Sequence, residues 1–236
     1  MARRRRKQRY TLFSLLVIAA ALVAGYFVNS SAYEELESNV QYSLEEVPPY
    51  FGEAYVVLNN NEPDFDDEYK NSNSFEIYGE QDKLGRCTRA FANIGTDMMP
   101  TEERGSIGMV KPSGWHTVKY DIVSGKYLYN RCHLIGYQLT GENANEQNLI
   151  TCTRQTNTGA MLDFENMVAE YIKKTGNHVL YRSTPIFEGE NLVASGIQLE
   201  AYSVEDDGQG VKFNVYLYNV QDGIEIDYAS GESKLK

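Results

Sequence analysis

The apolar residues of this sequence change from helical to strand periodicity near Gly176, and this change restricts the fold more than any other feature. Before Gly176 they recur at the spacing of one helical face: Met161, Phe164, Val168 and Ile172. After it they alternate with period two in three segments: 178–182, 195–201 and 212–218. Since Gly176 is itself a typical helix stop, this order predicts an α+β fold with a mainly antiparallel sheet and one main helix.

Shorter candidate strands precede the helix. Their β-branched and aromatic residues are bounded by Asn, Gly and Ser at 54–58, 75–78, 118–120, 127–129 and 148–151. The chain has 236 residues, 42% of them apolar and 23% charged, so bulk disorder is excluded. That length suits one substantial domain, and no internal repeat divides it.

The charges are distributed unevenly along the chain. The formal net charge is −11, yet residues 1–9 carry six of the 22 Lys and Arg side chains and no acid. The remainder has 16 cations against 33 acids, which excludes a protein that coats nucleic acid through general basicity. Within it, the segment 81–131 is locally basic, with eight cations against five acids.

The N-terminus has the pattern of a membrane-targeting segment. After the cations of 1–9 comes an uncharged stretch, 10–28, which as a helix would span roughly 28 Å, the thickness of a bilayer core. We expect an uncleaved transmembrane anchor with the domain outside the cytoplasm. The alternative is a cleaved signal peptide with its site near 30–32, which would release a secreted protein. An acidic tether at 29–47 and a globular domain at 48–236 would follow.

Residues suited to phosphodiester chemistry concentrate between the predicted strands and the helix. His133 has the proton affinity of a general base, and Arg131, two residues earlier on an extended segment, points the same way and suits a phosphate. Asn157 and Glu165 are eight residues apart, so they share one helical stripe. Their oxygen atoms are suitable ligands for a hard divalent cation or its waters.

These residues occur in a combination that resembles the DNA/RNA non-specific endonucleases of the ββα-metal, or His-Me finger, class. The family motif Asp-Arg-Gly-His stands here as Asn-Arg-Cys-His at 130–133, and Asn148, the run at 155–157 and Glu165 match its downstream half. The resemblance extends over about 55–228. It is strongest to the secreted and membrane-anchored nucleases of Gram-positive bacteria, including the DNA-entry nucleases of streptococci.

The resemblance implies a role for each matching residue. His133 would be the general base, and Asn157 would be the direct protein ligand of Mg²⁺, with Mn²⁺ as the alternative ion. Glu165 would orient metal-bound waters, Asn148 would support the histidine or the metal shell, and Arg131 would bind phosphate. The family cleaves DNA and RNA to 5′-phosphate ends with little sequence preference, and no small-molecule cofactor is implied.

Two further arginines, Arg104 and Arg154, are candidates for binding the substrate phosphates. The sequence also departs from the family motif at two positions, where Asn130 replaces Asp and Cys132 replaces Gly. Neither replacement removes a group that performs chemistry. The departures nevertheless keep an alternative open, in which an inactive nuclease-like domain only binds nucleic acid or a surface partner.

Several of these residues also have ordinary structural interpretations. Asn157 could simply cap the helix, Glu165 could be a solvated helix acid, and His116 and His178 are expected to be structural or surface residues. The 18 tyrosines are expected to serve mostly in strands and the core.

The three cysteines raise a separate alternative. Cys132 beside His133 suggests a thiol-dependent hydrolase, although neighbouring strand residues point to opposite faces. We instead expect one disulfide among Cys87, Cys132 and Cys152, and the sequence does not select the pair.

Overall fold

An antiparallel sheet of six strands forms the framework of the computed structural model, which describes residues 47–236. Its spatial order is β1-β8-β7-β6-β3-β2. These strands are β1 Tyr55–Val57, β2 Phe75–Tyr78, β3 Ala90–Ile94, β6 Val179–Ile186, β7 Gly196–Ser203 and β8 Lys212–Tyr218. Two short 3₁₀ helices, Asn59–Asn61 and Asp67–Tyr69, lie between β1 and β2. The predicted α+β class and antiparallel sheet are confirmed.

A second, two-stranded sheet and three helices complete the part that carries the site. Strands β4 and β5 pair antiparallel, with Cys132 opposite Ile150 and His133 opposite Leu149. The elements are β4 Tyr129–His133, α1 Tyr137–Thr140, β5 Leu149–Thr153, α2 Arg154–Thr158 and α3 Ala160–Thr175. The order β4, β5, helix is the expected ββα arrangement. A final small hairpin pairs β9 Ile224–Ile226 with β10 Ser233–Leu235.

Helix α3 packs its apolar face into the main core. Its buried residues are Ala160, Met161, Phe164, Val168, Ala169 and Ile172. They join one cluster with the inward residues of the main sheet, such as Leu199 and Val215. Gly176 ends the helix with φ 75°, a left-handed conformation that glycine adopts without a steric penalty. The predicted main helix is therefore confirmed, together with its C-terminal stop.

The helical segment is interrupted just before α3, and this corrects the sequence interpretation. Gly159 has φ −101° and ψ −122°, so α2 and α3 are separate helices. Asn157 lies inside α2, whose N-cap is Thr153, with its side chain accepting a hydrogen bond from the Thr156 amide. Asn157 is therefore not a helix cap, and it does not share one continuous helical stripe with Glu165.

The remaining strand predictions are confirmed in part. The segments at 54–58, 75–78 and 148–151 contain β1, β2 and most of β5. The segment at 118–120 forms only an isolated bridge between Lys119 and Tyr127, and the strand expected at 127–129 begins instead at Tyr129. Strand β3 and the β9–β10 hairpin were not predicted from periodicity.

The predicted anchor at 10–28 and most of the tether lie outside the described residues. Among helices within 47–236, none is both long and apolar enough to cross a membrane.

Candidate active site

His133 ends strand β4 and is almost buried, with 6% of its surface exposed. Its Nε2 lies 2.7 Å from the backbone oxygen of Asn143. Because a carbonyl oxygen only accepts, this contact places the proton on Nε2 and leaves the lone pair on Nδ1. The Arg104 guanidinium donates to that Nδ1 through Nη2 at 3.3 Å. The imidazole is thus fixed in one tautomer by two partners.

The environment of His133 keeps its imidazole neutral. Burial, which disfavours the charged form, lowers the pKa to about 4. The positive charge of Arg104 acts in the same direction, whereas the hydrogen bond to Asn143 opposes it. At neutral pH Nδ1 therefore carries no proton, and its lone pair accepts the hydrogen bond from Arg104.

The Arg131 guanidinium is held by the segment before β4. Its Nη2 donates to the Gly108 oxygen at 2.9 Å, and its Nε donates to the Val110 oxygen. The same group stacks 4.0 Å from the ring centroid of Trp115. Arg131 therefore positions the 108–115 segment beside the site, in addition to presenting positive charge there.

Asn148 supports the loop after His133 without touching the imidazole. Its Oδ1 accepts from the Ile135 amide at 2.9 Å, and its Nδ2 donates to the Ile135 oxygen at 3.0 Å. The side chain is completely buried. Both hydrogen bonds fix the chain where it leaves β4, so the support for His133 that was expected of Asn148 is indirect.

Glu165 faces the same loop from helix α3. A Cβ on Gly136 would stand 2.6 Å from Glu165 Cδ, so the carboxyl group packs directly on that glycine. Burial raises the pKa of Glu165 to about 8, although Arg104 and Gln138 favour the ionised form. The alternative interpretation of Glu165, as an acid exposed to solvent on the helix surface, is therefore wrong. Arg104 provides the electrostatic link between Glu165 and His133.

A cavity of about 430 Å³ opens between the ββα unit and the loop from 104 to 117. Its lining residues are Arg104, Ile107, Trp115, Thr117, Tyr127, Tyr129, Asn130, Arg131, Arg154 and Asn157. The lining contains three arginines and no carboxylate, so it suits an anion. Two lining donors, Asn130 Nδ2 and Arg154 Nε, are buried without a hydrogen-bond partner in the described structure.

The cysteines settle one alternative. Cys132 on β4 and Cys152 on β5 form a disulfide, with their Cα atoms 5.9 Å apart, and Cys87 remains a buried free thiol. The expected disulfide is confirmed and its pair identified. The interpretation of Cys132 as a nucleophile is wrong, because its sulfur atom is committed to the cross-link.

Other residues matched by sequence lie outside the site. The Thr156 hydroxyl donates to the Tyr218 oxygen at 2.8 Å, and Gln155 accepts from the Asp222 amide at 2.7 Å. Thr156 braces α2 against strand β8, and Gln155 braces it against the loop that follows β8. His116 contacts the Ser230 oxygen at 3.0 Å, His178 pairs with Glu205 at 2.7 Å, and neither lines the cavity. These two histidines have structural contacts, as expected.

Comparison with known proteins gives the class of the domain. A family model described as DNA/RNA non-specific endonuclease matches residues 67–205, which include His133, Asn157 and Glu165. The chain belongs to the DNA/RNA non-specific endonuclease family. It is therefore a hydrolytic nuclease, and the resemblance seen in the sequence is confirmed.

Solved nucleases share the fold of this non-specific endonuclease. The crystal structure of NucA from Streptococcus agalactiae with magnesium bound has a TM-score of 0.71 and 25% identity, covering 86% of this chain and 97% of that chain. The structure of Sda1 nuclease with a bound zinc ion has a TM-score of 0.60 and 26% identity, covering 83% and 100%. An extracellular endonuclease matches in fold at a TM-score of 0.55 and 24% identity, covering 69% and 87%.

Sequence reasoning about this endonuclease missed several residues of the site. Asn143 contributes only a backbone oxygen, which no side-chain pattern reveals. Gln138 reaches Glu165 across the fold and also donates to Asn166 at 3.0 Å. Trp115 had one signal that could have been used, because it is the only tryptophan of the chain. It lies in the locally basic segment and stacks on Arg131.

Proposed function

We propose that this domain is a Mg²⁺-dependent, sequence-non-specific endonuclease. It would hydrolyse phosphodiester bonds of DNA, with RNA as a second substrate, and leave 5′-phosphate ends. The observation that carries the proposal is the buried, neutral His133, whose Nδ1 contacts Arg104, a residue that lines a cavity with three arginines and no carboxylate. Membership of the endonuclease family supports the same reaction class.

In this mechanism His133 is the general base. An attacking water gives its proton to Nδ1 while its oxygen forms the new bond to phosphorus. The bond from phosphorus to O3′ breaks, and O3′ leaves with the electron pair and takes a proton from solvent. The Asn143 oxygen, 2.7 Å from Nε2, holds the ring and stabilises the imidazolium that forms. Arg104 donates to Nδ1 in the protein alone, and an arriving phosphate would compete for that guanidinium and free the lone pair.

The residues present fit a hard divalent cation. Asn157 lines the cavity, and its side-chain amide oxygen would serve as a ligand there. No group of three His, Cys, Asp or Glu side chains suited to a metal occurs within 47–236. One protein oxygen supplemented by waters suits Mg²⁺, with Mn²⁺ as the alternative, and Glu165 would orient those waters. A bound ion would supply positive charge to the phosphoryl and leaving oxygens.

Arginine side chains would bind the scissile phosphate and the phosphates next to it in the substrate strand. Arg104 contacts His133 and therefore lies where the scissile phosphate must sit. Arg154 and Arg131 line the same cavity, and the unpartnered Arg154 Nε is a donor without a present acceptor. We infer that these two bind neighbouring phosphates.

We also propose that the domain acts outside the cytoplasm, held by the predicted anchor at 10–28 or released if that segment is cleaved. The Cys132–Cys152 disulfide supports this location, because disulfides persist in oxidising compartments. Two solved structures with the same fold are named extracellular nucleases.

Plasmid cleavage tests the proposed function. The purified fragment from residue 39 to 236 should convert supercoiled plasmid to fragments with Mg²⁺ and not after chelation. His133→Ala should lower the rate roughly 100- to 10,000-fold, the range of a lost general base. His178→Ala is the matched control, since that histidine does not line the cavity. Intact plasmid under every metal condition would favour the alternative of an inactive nucleic-acid-binding domain.

A further inference from the structure

One aromatic side chain of the cavity is not used by the mechanism. Tyr127 lines the cavity yet is 46% exposed, and its hydroxyl forms no hydrogen bond within the described residues. The Lys119 ammonium stands 4.4 Å from its ring centroid. Tyr129, by contrast, is buried and donates through its hydroxyl to the Gly231 oxygen at 2.8 Å. The Tyr127 ring is therefore more accessible from the cavity than the Tyr129 ring.

The position of Tyr127 is fixed relative to the catalytic histidine. Its backbone pairs with Lys119, and the chain runs from there into strand β4. Tyr127 lines the same cavity as Arg131 and as Arg104, whose guanidinium contacts His133. A nucleic acid strand bound in this cavity can therefore reach both the Tyr127 ring and the histidine.

The surroundings of Tyr127 match a nucleotide rather than an apolar ligand. An exposed ring offers a π-face on which any base can stack. Lys119 beside it and the unpartnered Arg154 Nε in the same cavity offer positive charge and a donor to the backbone phosphates. Aromatic rings interleaved with cations along a groove are the typical arrangement for binding single strands.

We propose that Tyr127 forms a base-stacking subsite for single-stranded nucleic acid in the arginine-lined cavity. This inference rests on the proposed nuclease function and specifies its substrate class. In a duplex both faces of each base are covered by neighbouring bases, so the ring cannot stack without opening the helix. The subsite thus favours single-stranded over duplex substrate. Stacking does not depend on the sugar, so DNA and RNA strands use the subsite alike.

The subsite is tested by comparing substrates of the same sequence in single-stranded and duplex form. KM and kcat are measured on a mixed-sequence oligonucleotide as single-stranded DNA, as single-stranded RNA and as duplex DNA. Tyr127→Ala should raise KM roughly tenfold on both single strands, leave kcat nearly unchanged and leave the duplex KM unaltered. Tyr127→Phe keeps the ring and should behave as the wild type. Equal effects on single strand and duplex, or a Phe variant as impaired as the Ala variant, would overturn the proposal.

Two controls separate this inference from the proposed function. Tyr55→Ala removes a tyrosine of similar exposure, 43%, on the edge strand β1, and should leave the single-strand KM unchanged. Binding without cleavage is measured by fluorescence anisotropy of a labelled single strand on His133→Ala protein, with and without Tyr127→Ala. If the wild type cleaves nothing, the proposed function fails, but the binding comparison still decides the subsite. Unchanged binding in the double variant would refute it.

Discussion

At the scale of single residues, the catalytic candidate depends on contacts that its neighbours in sequence do not supply. His133 takes its tautomer from a backbone oxygen ten residues later and its lowered pKa from burial. Arg131 illustrates the converse. Its residue type suggested phosphate binding, but two carbonyl oxygens and an indole ring already hold much of the guanidinium. Residue type indicated the chemistry available, and the contacts decided how it is used.

The pKa of His133 predicts a loss of stability in acid. An unfolded histidine titrates near 6.5, whereas His133 in the folded protein titrates at about 4. Between these values the unfolded state binds more protons, so this residue's contribution to stability is complete above pH 6.5 and lost as pH falls towards 4. The loss amounts to about 3 kcal/mol.

Urea unfolding of the wild type and His133→Gln at pH 7 and pH 4 measures this loss. The Gln variant cannot titrate at this position and other groups are common to both proteins, so the wild-type advantage should shrink by about 3 kcal/mol between the two pH values. A constant difference would show that the imidazole is not held neutral by the fold.

At the scale of elements, the ββα unit is held together by the link between its two strands. The disulfide joins the residue directly before His133 to Cys152, the next-to-last residue of β5, and both cysteines are completely buried. Gly159 then separates the helix that carries Asn157 from the helix that carries Glu165. The two predicted metal-site residues, Asn157 and Glu165, therefore lie on different helices. The sequence had predicted that they share one face of a single helix.

Removing the disulfide should loosen this unit. The double variant Cys132→Ala/Cys152→Ala removes a cross-link between residues that are 20 positions apart in sequence. We expect the free energy of unfolding to fall by roughly 3 kcal/mol, because the unfolded chain is no longer constrained. We expect nuclease activity to fall as well, since His133 follows Cys132 on the same strand. Chemical denaturation and plasmid cleavage measure the two effects.

The free thiol provides the control for the disulfide. Cys87→Ala leaves the cross-link intact and should retain activity, and reduction of the wild type should reproduce the double variant. Full activity with unchanged stability in the double variant would show that β4 and β5 position the site without the cross-link.

At the scale of the whole molecule, charge is separated between the cavity and the rest of the surface. The described residues contain 16 cations and 28 acids, yet no acid lines the cavity. Phosphate is therefore attracted to one place and repelled elsewhere. A nuclease of this kind holds its substrate through few ionic contacts and releases product readily.

This charge distribution predicts that the affinity for substrate depends only modestly on salt concentration. With about three phosphate contacts on a single strand, the affinity should fall with a log–log slope of about −2 against salt concentration. KM measured over a NaCl series gives the slope, and Arg154→Ala should reduce its magnitude by roughly 0.7. Lys234→Ala is the control and should leave the slope unchanged, because its ammonium pairs with Glu225 on the β9–β10 hairpin and does not line the cavity. A slope unaffected by Arg154→Ala would exclude that residue from phosphate binding.

The sequence by itself determined the class, the main elements and the family. Periodicity and turn residues act locally, so α3, its glycine stop and the three long strands after it could be predicted from the sequence alone. The motif around His133 indicated the family only in combination with Asn148, the run at 155–157 and Glu165, and the family model confirms it. The disulfide was expected, but its pair required knowledge of which strands are neighbours.

Only the tertiary structure decided how the site is assembled. The contact of Arg104 with His133 spans 29 residues, and Glu165 reaches Gly136 from another element. Such contacts depend on how strands and helices pack, which local periodicity does not encode. Burial, which is a property of the folded core, sets the pKa of both His133 and Glu165. The sequence supplied the reactive groups, and packing placed them and set their protonation.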